Sequence, residues 1–496
     1  MTNSQPTFRV RFAPSPTGHV HLGSARTALY DYLIARKMGG QFILRIEDTD
    51  QKRLVQGAEE ELINGLHWLG IDWDEGPLKG GHYGPYRQSE RKEIYQQYAK
   101  KLIEKGSAYY CFCSHERLKK VREDMQKQKK NPRYDGLCRN IPIDEAEERI
   151  GNGESYVIRF KTPKEGKTIV KDLLRGEITF ENKMLDDYII VKSDGWALYH
   201  LAATVDDHLM KITHVIRGSE WLPTSPLHHL IWQAFGWEEP TWVHLSIFLK
   251  PSGKGKMSKR DAAQLSNDGY SIFLKDLEGL GYLPEAVINW VALMGWSYDD
   301  HTEYFSMDDL VEKFSLEKLN PSPAAINFSK LDHFNKLHIK NISDRELAER
   351  IFPFFEKNSI KASLDDLEKI SPVLKERMIT LDDSVKRCEF LFKEKIDHET
   401  GSLLIRDLSL EKSKEISSEV VEVINSIDEW TLESIEKKMK TYMEKEGLVP
   451  KQLYSYMREA ISGQRVTPPI FDCMVVLGKE RTILRLEESQ SILSAM

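Results

Sequence analysis

No run of apolar residues in this chain approaches the roughly 20 that a membrane-spanning helix requires, so no membrane span is expected. The opening MTNSQPTF lacks the charged-then-apolar order of a secretory signal. Cysteine is scarce and odd in number: Cys111, Cys113, Cys138, Cys388 and Cys473. That set excludes a disulfide framework and suits a reducing compartment, so the expected address is cytoplasmic. A basic excess is missing too. The formal charge of −7 argues against a DNA-coating protein, yet leaves room for a local basic patch against RNA. There is no clean internal repeat and no low-complexity segment. What remains is an ordinary globular composition, 40% hydrophobic and 30% charged over 496 residues. That length suits about three or four domains.

The stretch Phe8 to Arg26, FRVRFAPSPTGHVHLGSAR, organises the rest. Phe8 to Ala13 alternates apolar and polar residues, as a strand does. Pro14, Pro16 and Gly18 then force a turn, and His21 to Met38 carries apolar residues at helical spacing up to Gly39-Gly40. A helix start after a turn offers backbone N–H groups and the positive end of a dipole, which suits a phosphate. Phe42 to Asp48, FILRIED, reads as a second strand with an acidic end, and Gly57 to Leu69 as its helix. This βαβα opening predicts a parallel sheet. Its site should lie at the strand ends, where Arg11 to Ser15 and Glu47 to Asp50 face one crevice.

Further along, Gly76 to Gln88 is loop-like and Glu90 to Lys105 helical. Residues 154 to 192 alternate in short runs and read as an inserted α/β module rather than a continuation of the sheet. The sheet is expected to resume with Trp196 to His208 and then Ile212 to Arg217, followed by a helix at Thr224 to Phe235. Leu249 to Arg260, LKPSGKGKMSKR, is a glycine-bearing loop with five basic residues. Beyond about residue 265 the pattern is helical to the end, with a break expected near residue 415, where charged, Ser-rich sequence interrupts the apolar spacing.

Two lysines and a serine in Lys256-Met257-Ser258-Lys259-Arg260 can close over a polyphosphate, Lys acting as a mobile point charge. Alone, that loop is more simply a solvated basic surface. Paired with PSPTGHVHLG it resembles the two signature motifs of class I aminoacyl-tRNA synthetases. RIEDTD, GPYRQSER, YDG before a cysteine, VDDH and VIRGSEW, in this order, resemble bacterial-type glutamyl-tRNA synthetases. The resemblance is dense over about the first 330 residues and thinner beyond, where LGKERTILRLEES still fits.

The resemblance implies an α/β plus all-α architecture. A Rossmann-like nucleotide-binding domain occupies residues 1–105 and 196–260 and is split by an acceptor-binding module at 106–195. A stem-contact region at 261–330 follows, then a helical anticodon-binding domain in two parts, 331–415 and 416–496. The implied reaction activates L-glutamate with ATP and Mg²⁺ and transfers glutamyl to the 3′ end of tRNA-Glu. The family also implies a monomer with no DNA or membrane partner.

By resemblance, Thr17, Gly18, His21, Gly23, Ser24, Lys256, Ser258 and Lys259 meet ATP, with His21 and Lys259 catalytic. Arg11 and Arg217 hold the carboxylates of glutamate, Glu47 meets its amino group, and Ala13, Ser15 and Tyr199 line the pocket. Ala203 stands where some members have asparagine. Each has a plainer explanation. Arg11 alone reads as a surface strand residue and His21 as a helix cap. Glu47, Asp48 and Asp50, or Asp206, Asp207 and His208, suggest metal chemistry on spacing alone, but the resemblance supports no metal there.

Cys111, Cys113 and Cys138 suggest zinc, since some members have three cysteines and then a histidine. Here that fourth position is Asn140, a poor ligand, with Tyr134 or His115 as non-standard substitutes, so zinc is not expected. The basic helix Lys119 to Lys130 is placed against RNA only by the resemblance. Among rivals, glutaminyl enzymes typically end in β-barrels, whereas this C-terminus reads as helices. A shortened paralogue lacks an anticodon domain. A catalytically dead tRNA-binding protein would not be expected to keep His21, Glu47, Arg11, Arg217 and Lys259 together.

Overall fold

The computed structural model describes residues 8–257, 259–267, 269–399 and 401–496, with the side chains of Lys259, Arg260 and Ala263 left out. The chain packs as two units: Met1–Leu277 with Val287–Phe328, and Glu278–Ala286 with Ser329–Met496. Among the described residues no helix is long and apolar enough to cross a membrane.

The first unit opens as its pattern predicts. Strand β1 (Arg9–Phe12) leads through a proline-bearing loop into helix α1 (Leu22–Lys37) and strand β2 (Gln41–Leu44). β1 and β2 are parallel, with Arg11 opposite Ile43. All four residues of β1 are buried, its two arginines included. Arg11 is therefore not a surface strand residue. A strand covered on both faces does not show its burial as alternation.

Helices α2 (Ala58–Trp68) and α3 (Lys92–Glu104) follow, then strand β3 (Ala108–Cys111), helix α4 (His115–Lys127) and helix α5 (Ile143–Gly151). The next strands are β4 (Val157–Phe160), β5 (Lys167–Asp172), β6 (Gly176–Glu181) and β7 (Ile189–Val191). β3, β4 and β7 form their own antiparallel sheet. The β5–β6 hairpin does not stay with them. It joins helix α6 (Tyr199–Leu209), strand β8 (His214–Gly218), helix α7 (Ser225–Phe235) and strand β9 (Thr241–Leu245) to build a sheet in the order β6-β5-β9-β8. This corrects the expectation that residues 154 to 192 stand apart from the sheet. β5 buries Thr168, Val170 and Asp172 on alternate positions, a face that needs a cover, and Asp172 pairs with Trp242 of β9. Thr213 N in turn donates to Arg9 O at 2.9 Å, setting β8 beside β1.

A second correction concerns Trp196 to His208, expected as a strand. Only Ala197 makes a bridge, to Val191, and helix α6 starts two residues later. Leu201, Ala202 and Val205 are fully buried at helical spacing, and the alanine pair favours a helix.

The second unit is helical. Ser343, Ser363, Ser409 and Thr431 each cap a helix by accepting the amide of the third helical residue. The break expected near residue 415 falls inside the helix Leu410–Asn425. Its Ser413 and Ser417 are fully buried, so the serines there are small residues in a core-facing row, not a linker.

Candidate active site

A cavity of about 460 Å³ opens at the C-terminal ends of β1, β2 and β8, where an open parallel sheet places its ligands. Arg11 reaches it from the end of β1. Ala13, Ser15 and Thr17 come from the loop, and His21, Gly23 and Ser24 from the start of α1. Glu47 lies just past β2, Tyr199 begins α6, Arg217 is the penultimate residue of β8, and Lys256 comes from the loop beyond β9. Gly18 is not on the cavity wall; it holds a positive φ of 143° in the turn. Ser258 and the side chain of Lys259 lie outside the described residues. Ala203 is buried one helical turn beyond Tyr199.

Sequence reasoning missed Trp221, which lies against Tyr199 with ring centroids 4.3 Å apart. Its signal was present: a large aromatic four residues after the arginine in VIRGSEW. It also missed His244, which accepts from Arg217 Nε, and Asp172, which accepts from His244.

The walls carry a buried charge network. Arg45 donates from Nη1 to Asp207 Oδ1 at 2.7 Å and from Nη2 to Glu47 Oε1 at 3.0 Å. Arg11 Nε donates to the same Asp207 oxygen at 2.9 Å. Asp206 accepts from Arg91 Nε at 2.7 Å, Gln88 at 2.9 Å and the Tyr95 hydroxyl at 2.8 Å. Burial favours the neutral acid at Asp207, but Arg11 and Arg45 outweigh it and hold the carboxyl below its usual range. At Glu47 burial wins over the same two arginines, and its pKa is raised. His208 stacks on Trp237 at 3.7 Å. Asp206, Asp207 and His208 are thus an internal counter-charge and a packed ring.

Arg217 is held differently. Its Nε donates to His244 Nε2 at 3.0 Å and its Nη1 to the Tyr199 hydroxyl at 3.2 Å, and the guanidinium lies 4.9 Å over Trp242. Among the described residues it makes no ion pair, and its buried Nη2 has no hydrogen-bond partner. A buried cation with neutral neighbours is costly until an anion arrives.

The start of α1 departs from expectation. His21 caps the helix with Nδ1, which accepts from Gly23 N at 3.1 Å and Ser24 N at 3.4 Å, so the ring proton sits on Nε2. Leu22 N donates to Ile272 O and Ala25 N to His21 O. The first-turn amides are thus partnered within the protein rather than open, and the imidazole stands between them and the cavity. Gly23 makes this possible: a Cβ there would lie 3.0 Å from His21 Cε1.

The cysteines form a second cluster, in the β3 region. The sulfurs of Cys111, Cys113 and Cys138 all lie within 4.8 Å of one another. The Tyr134 phenol oxygen is 3.5 Å from Cys111 Sγ and 3.6 Å from Cys113 Sγ. Zinc bonds of about 2.3 Å to sulfur and 2.0 Å to oxygen give tetrahedral edges of about 3.5 Å. The three sulfurs are thus close enough to hold a metal ion, with the phenol oxygen beside them, though that oxygen already accepts from Cys138 N at 2.8 Å; Asn140 and His115 are exposed.

The chain matches the model of tRNA synthetases class I (E and Q), catalytic domain, over residues 7–333 and that of an anticodon binding domain over residues 346–490. It is 42% identical over 501 residues to a glutamate–tRNA ligase of Dehalococcoides mccartyi (strain CBDB1), covering 100% of this chain and 99% of that protein. A glutamate–tRNA ligase of Borreliella burgdorferi is 41% identical, covering 98% of this chain and 99% of that one. Among solved structures, a glutamate tRNA ligase from Elizabethkingia meningosepticum CCUG26117, in complex with its amino acid, matches with a TM-score of 0.89 at 38% identity, covering 98% and 99% of the two chains.

Proposed function

We infer that this chain, which belongs to the class I tRNA synthetases for glutamate and glutamine and is a glutamate–tRNA ligase, joins glutamate to ATP in the cavity at its strand ends. A glutamate carboxylate oxygen attacks the α-phosphorus, pyrophosphate leaves, and the 3′ end of tRNA then takes the glutamyl group as AMP departs. Arg217 is the observation that carries this reading. It is a buried guanidinium with only neutral partners, facing a cavity. Glutamate supplies the missing carboxylate; glutamine, a neutral isostere, leaves the charge buried and unpaired. Arg11 takes the other carboxylate and Glu47 the ammonium.

No covalent enzyme intermediate is needed. Negative charge grows on the phosphates as pyrophosphate leaves, and Thr17, the His21 Nε2–H and the lysines at 256 and 259 stabilise it, with Mg²⁺ arriving on ATP. The same reading takes the enzyme as a cytoplasmic monomer whose helical second unit meets the anticodon end of tRNA-Glu. Pyrophosphate exchange with glutamate, ATP and tRNA all present tests the activity; no exchange would leave a tRNA-binding protein. Labelled glutamate charged onto tRNA-Glu and tRNA-Gln side by side then reads the tRNA specificity.

Two smaller outcomes follow. Gly23→Ala crowds the His21 ring on its cap, so the exchange rate should fall by up to about a hundredfold, the scale of one lost transition-state hydrogen bond, while the glutamate KM stays put. Equal losses in both would show the ring to be merely structural. At the other cluster, Cys111, Cys113, Cys138 and Tyr134 would hold zinc as a clip on the inserted sheet, supplying rigidity and no chemistry. The motif, with Asn140 in place of a histidine, does not lead one to expect zinc, and elemental analysis decides: about one zinc per chain marks a closed site, and metal-free protein returns the three thiols to plain core packing.

A further inference from the structure

We propose that Asp172 and His244 form a positioning relay for Arg217, turning its guanidinium so that the unpartnered Nη2 faces the substrate carboxylate. The inference rests on the glutamate reading of the pocket. It concerns two residues that touch no substrate and lie behind the recognising arginine.

The relay begins with register. β8 and β9 are parallel, and Arg217 pairs with His244 across them. β5 lies on the far side of β9 and brings Asp172 alongside Trp242. Asp172 is buried and its oxygens are fully engaged. Oδ1 accepts from Leu174 N and Arg175 N, each at 3.0 Å. Oδ2 accepts from His244 N at 3.0 Å and from His244 Nδ1 at 2.7 Å. An ionised carboxylate only accepts, so Nδ1 carries the ring proton. Nε2 is then a lone pair, and Arg217 Nε donates to it at 3.0 Å.

The choice of a neutral ring is what suits the site. An aspartate or glutamate in place of His244 would orient Arg217 equally well, but it would also neutralise it and weaken its hold on an anion. An imidazole orients without cancelling the charge. The Tyr199 hydroxyl and the Trp242 ring do the same from two other sides. Burial keeps His244 neutral by pushing its pKa down against the pull of Asp172. The relay also gives the β5–β6 hairpin a task, since it is the hairpin that delivers the carboxylate.

The test separates the two ring nitrogens. His244→Asn keeps a donor near Asp172 but does not reach Arg217. His244→Gln extends an amide oxygen to about where Nε2 lies, restoring the acceptor. Asp172→Asn presents an N–H to the ring and favours the opposite tautomer, setting Nε2–H against Arg217 Nε–H. Steady-state pyrophosphate exchange is measured with tRNA present, varying glutamate and ATP separately. His244→Asn and Asp172→Asn should raise the glutamate KM by about tenfold or more, the scale of a buried hydrogen bond to a charged group. The ATP KM should stay within about twofold, and His244→Gln should recover most of the loss. A glutamate KM unchanged in His244→Asn, equal rises in both KM values, or no difference between the Asn and Gln variants would each overturn the relay. Arg217→Ala run alongside distinguishes the levels: if it too leaves the glutamate KM unchanged, the pocket reading itself falls; if it raises that KM while His244→Asn does not, the relay alone falls.

Discussion

Arg217→Ala is expected to raise the glutamate KM by about two orders of magnitude and to leave the ATP KM nearly unchanged. Truncating one partner of a buried charge pair costs roughly 2–5 kcal/mol, and each 1.4 kcal/mol is tenfold. A loss near 3 kcal/mol therefore corresponds to about 150-fold. On the proposed reading the ATP side is spared, because the residues assigned to ATP come from the turn and the start of α1, a separate stretch of the cavity wall. The variant should also lose its preference for glutamate over glutamine. That preference rests on a cation left unpaired by the amide, and without the cation neither ligand is penalised. Exchange assays at saturating tRNA, with each substrate varied in turn, read both effects. Equal rises in the two KM values would sink the assigned role, and so would a preserved glutamate preference.

The strand, loop and helix that open the chain were legible because turn residues and the 3.6-residue period sit side by side in sequence. The cavity residues were legible for a different reason. Arg11, Glu47, Arg217 and Tyr199 were placed by motif resemblance, and their own surroundings in sequence point elsewhere: Arg11 in an alternating strand reads as exposed, yet is buried.

What stayed hidden is what closes over distance. Arg45 and Asp207 are 162 residues apart and His244 and Asp172 are 72 apart, and no local pattern links either pair. The hairpin that joins the sheet through one residue pair leaves equally little trace. Tyr134 lies between. Its spacing to Cys138 was visible, but only the fold turns the phenol toward the sulfurs. The buried serines of the helix Leu410–Asn425 show the converse: a composition that reads as a boundary can be a packing surface.

Arg45→Ala should be strongly destabilising to the first unit. Arg45 is fully buried, bonds to Asp207 and Glu47, and lies 3.8 Å from Asp206. Burial works against its charge, but Asp207, Glu47 and Asp206 more than compensate and raise its pKa. Removing it leaves three buried carboxylates to Arg11 and Arg91. Breaking a buried pair from one side costs about 3–5 kcal/mol, because the orphaned charge remains. For a unit of this size that is a fall of roughly 4–8 °C in thermal midpoint.

Removing both sides should cost less, so the double variant Arg45→Met, Asp207→Asn should unfold at a higher temperature than the sum of the singles predicts. Additive losses, or a single variant within about 2 °C of the parent, would show that the network is not what holds these strands. Function offers a second reading. Glu47 already has a raised pKa, with Arg45 the chief group opposing burial. Without Arg45 its pKa should rise further, and on the proposed reading a protonated Glu47 no longer pairs with the substrate ammonium. Residual exchange in a folded Arg45→Met variant should therefore fall as pH drops and recover as pH rises, through a change in glutamate KM. A pH-independent glutamate KM would separate Glu47 from the ammonium, whatever Arg45 does for stability.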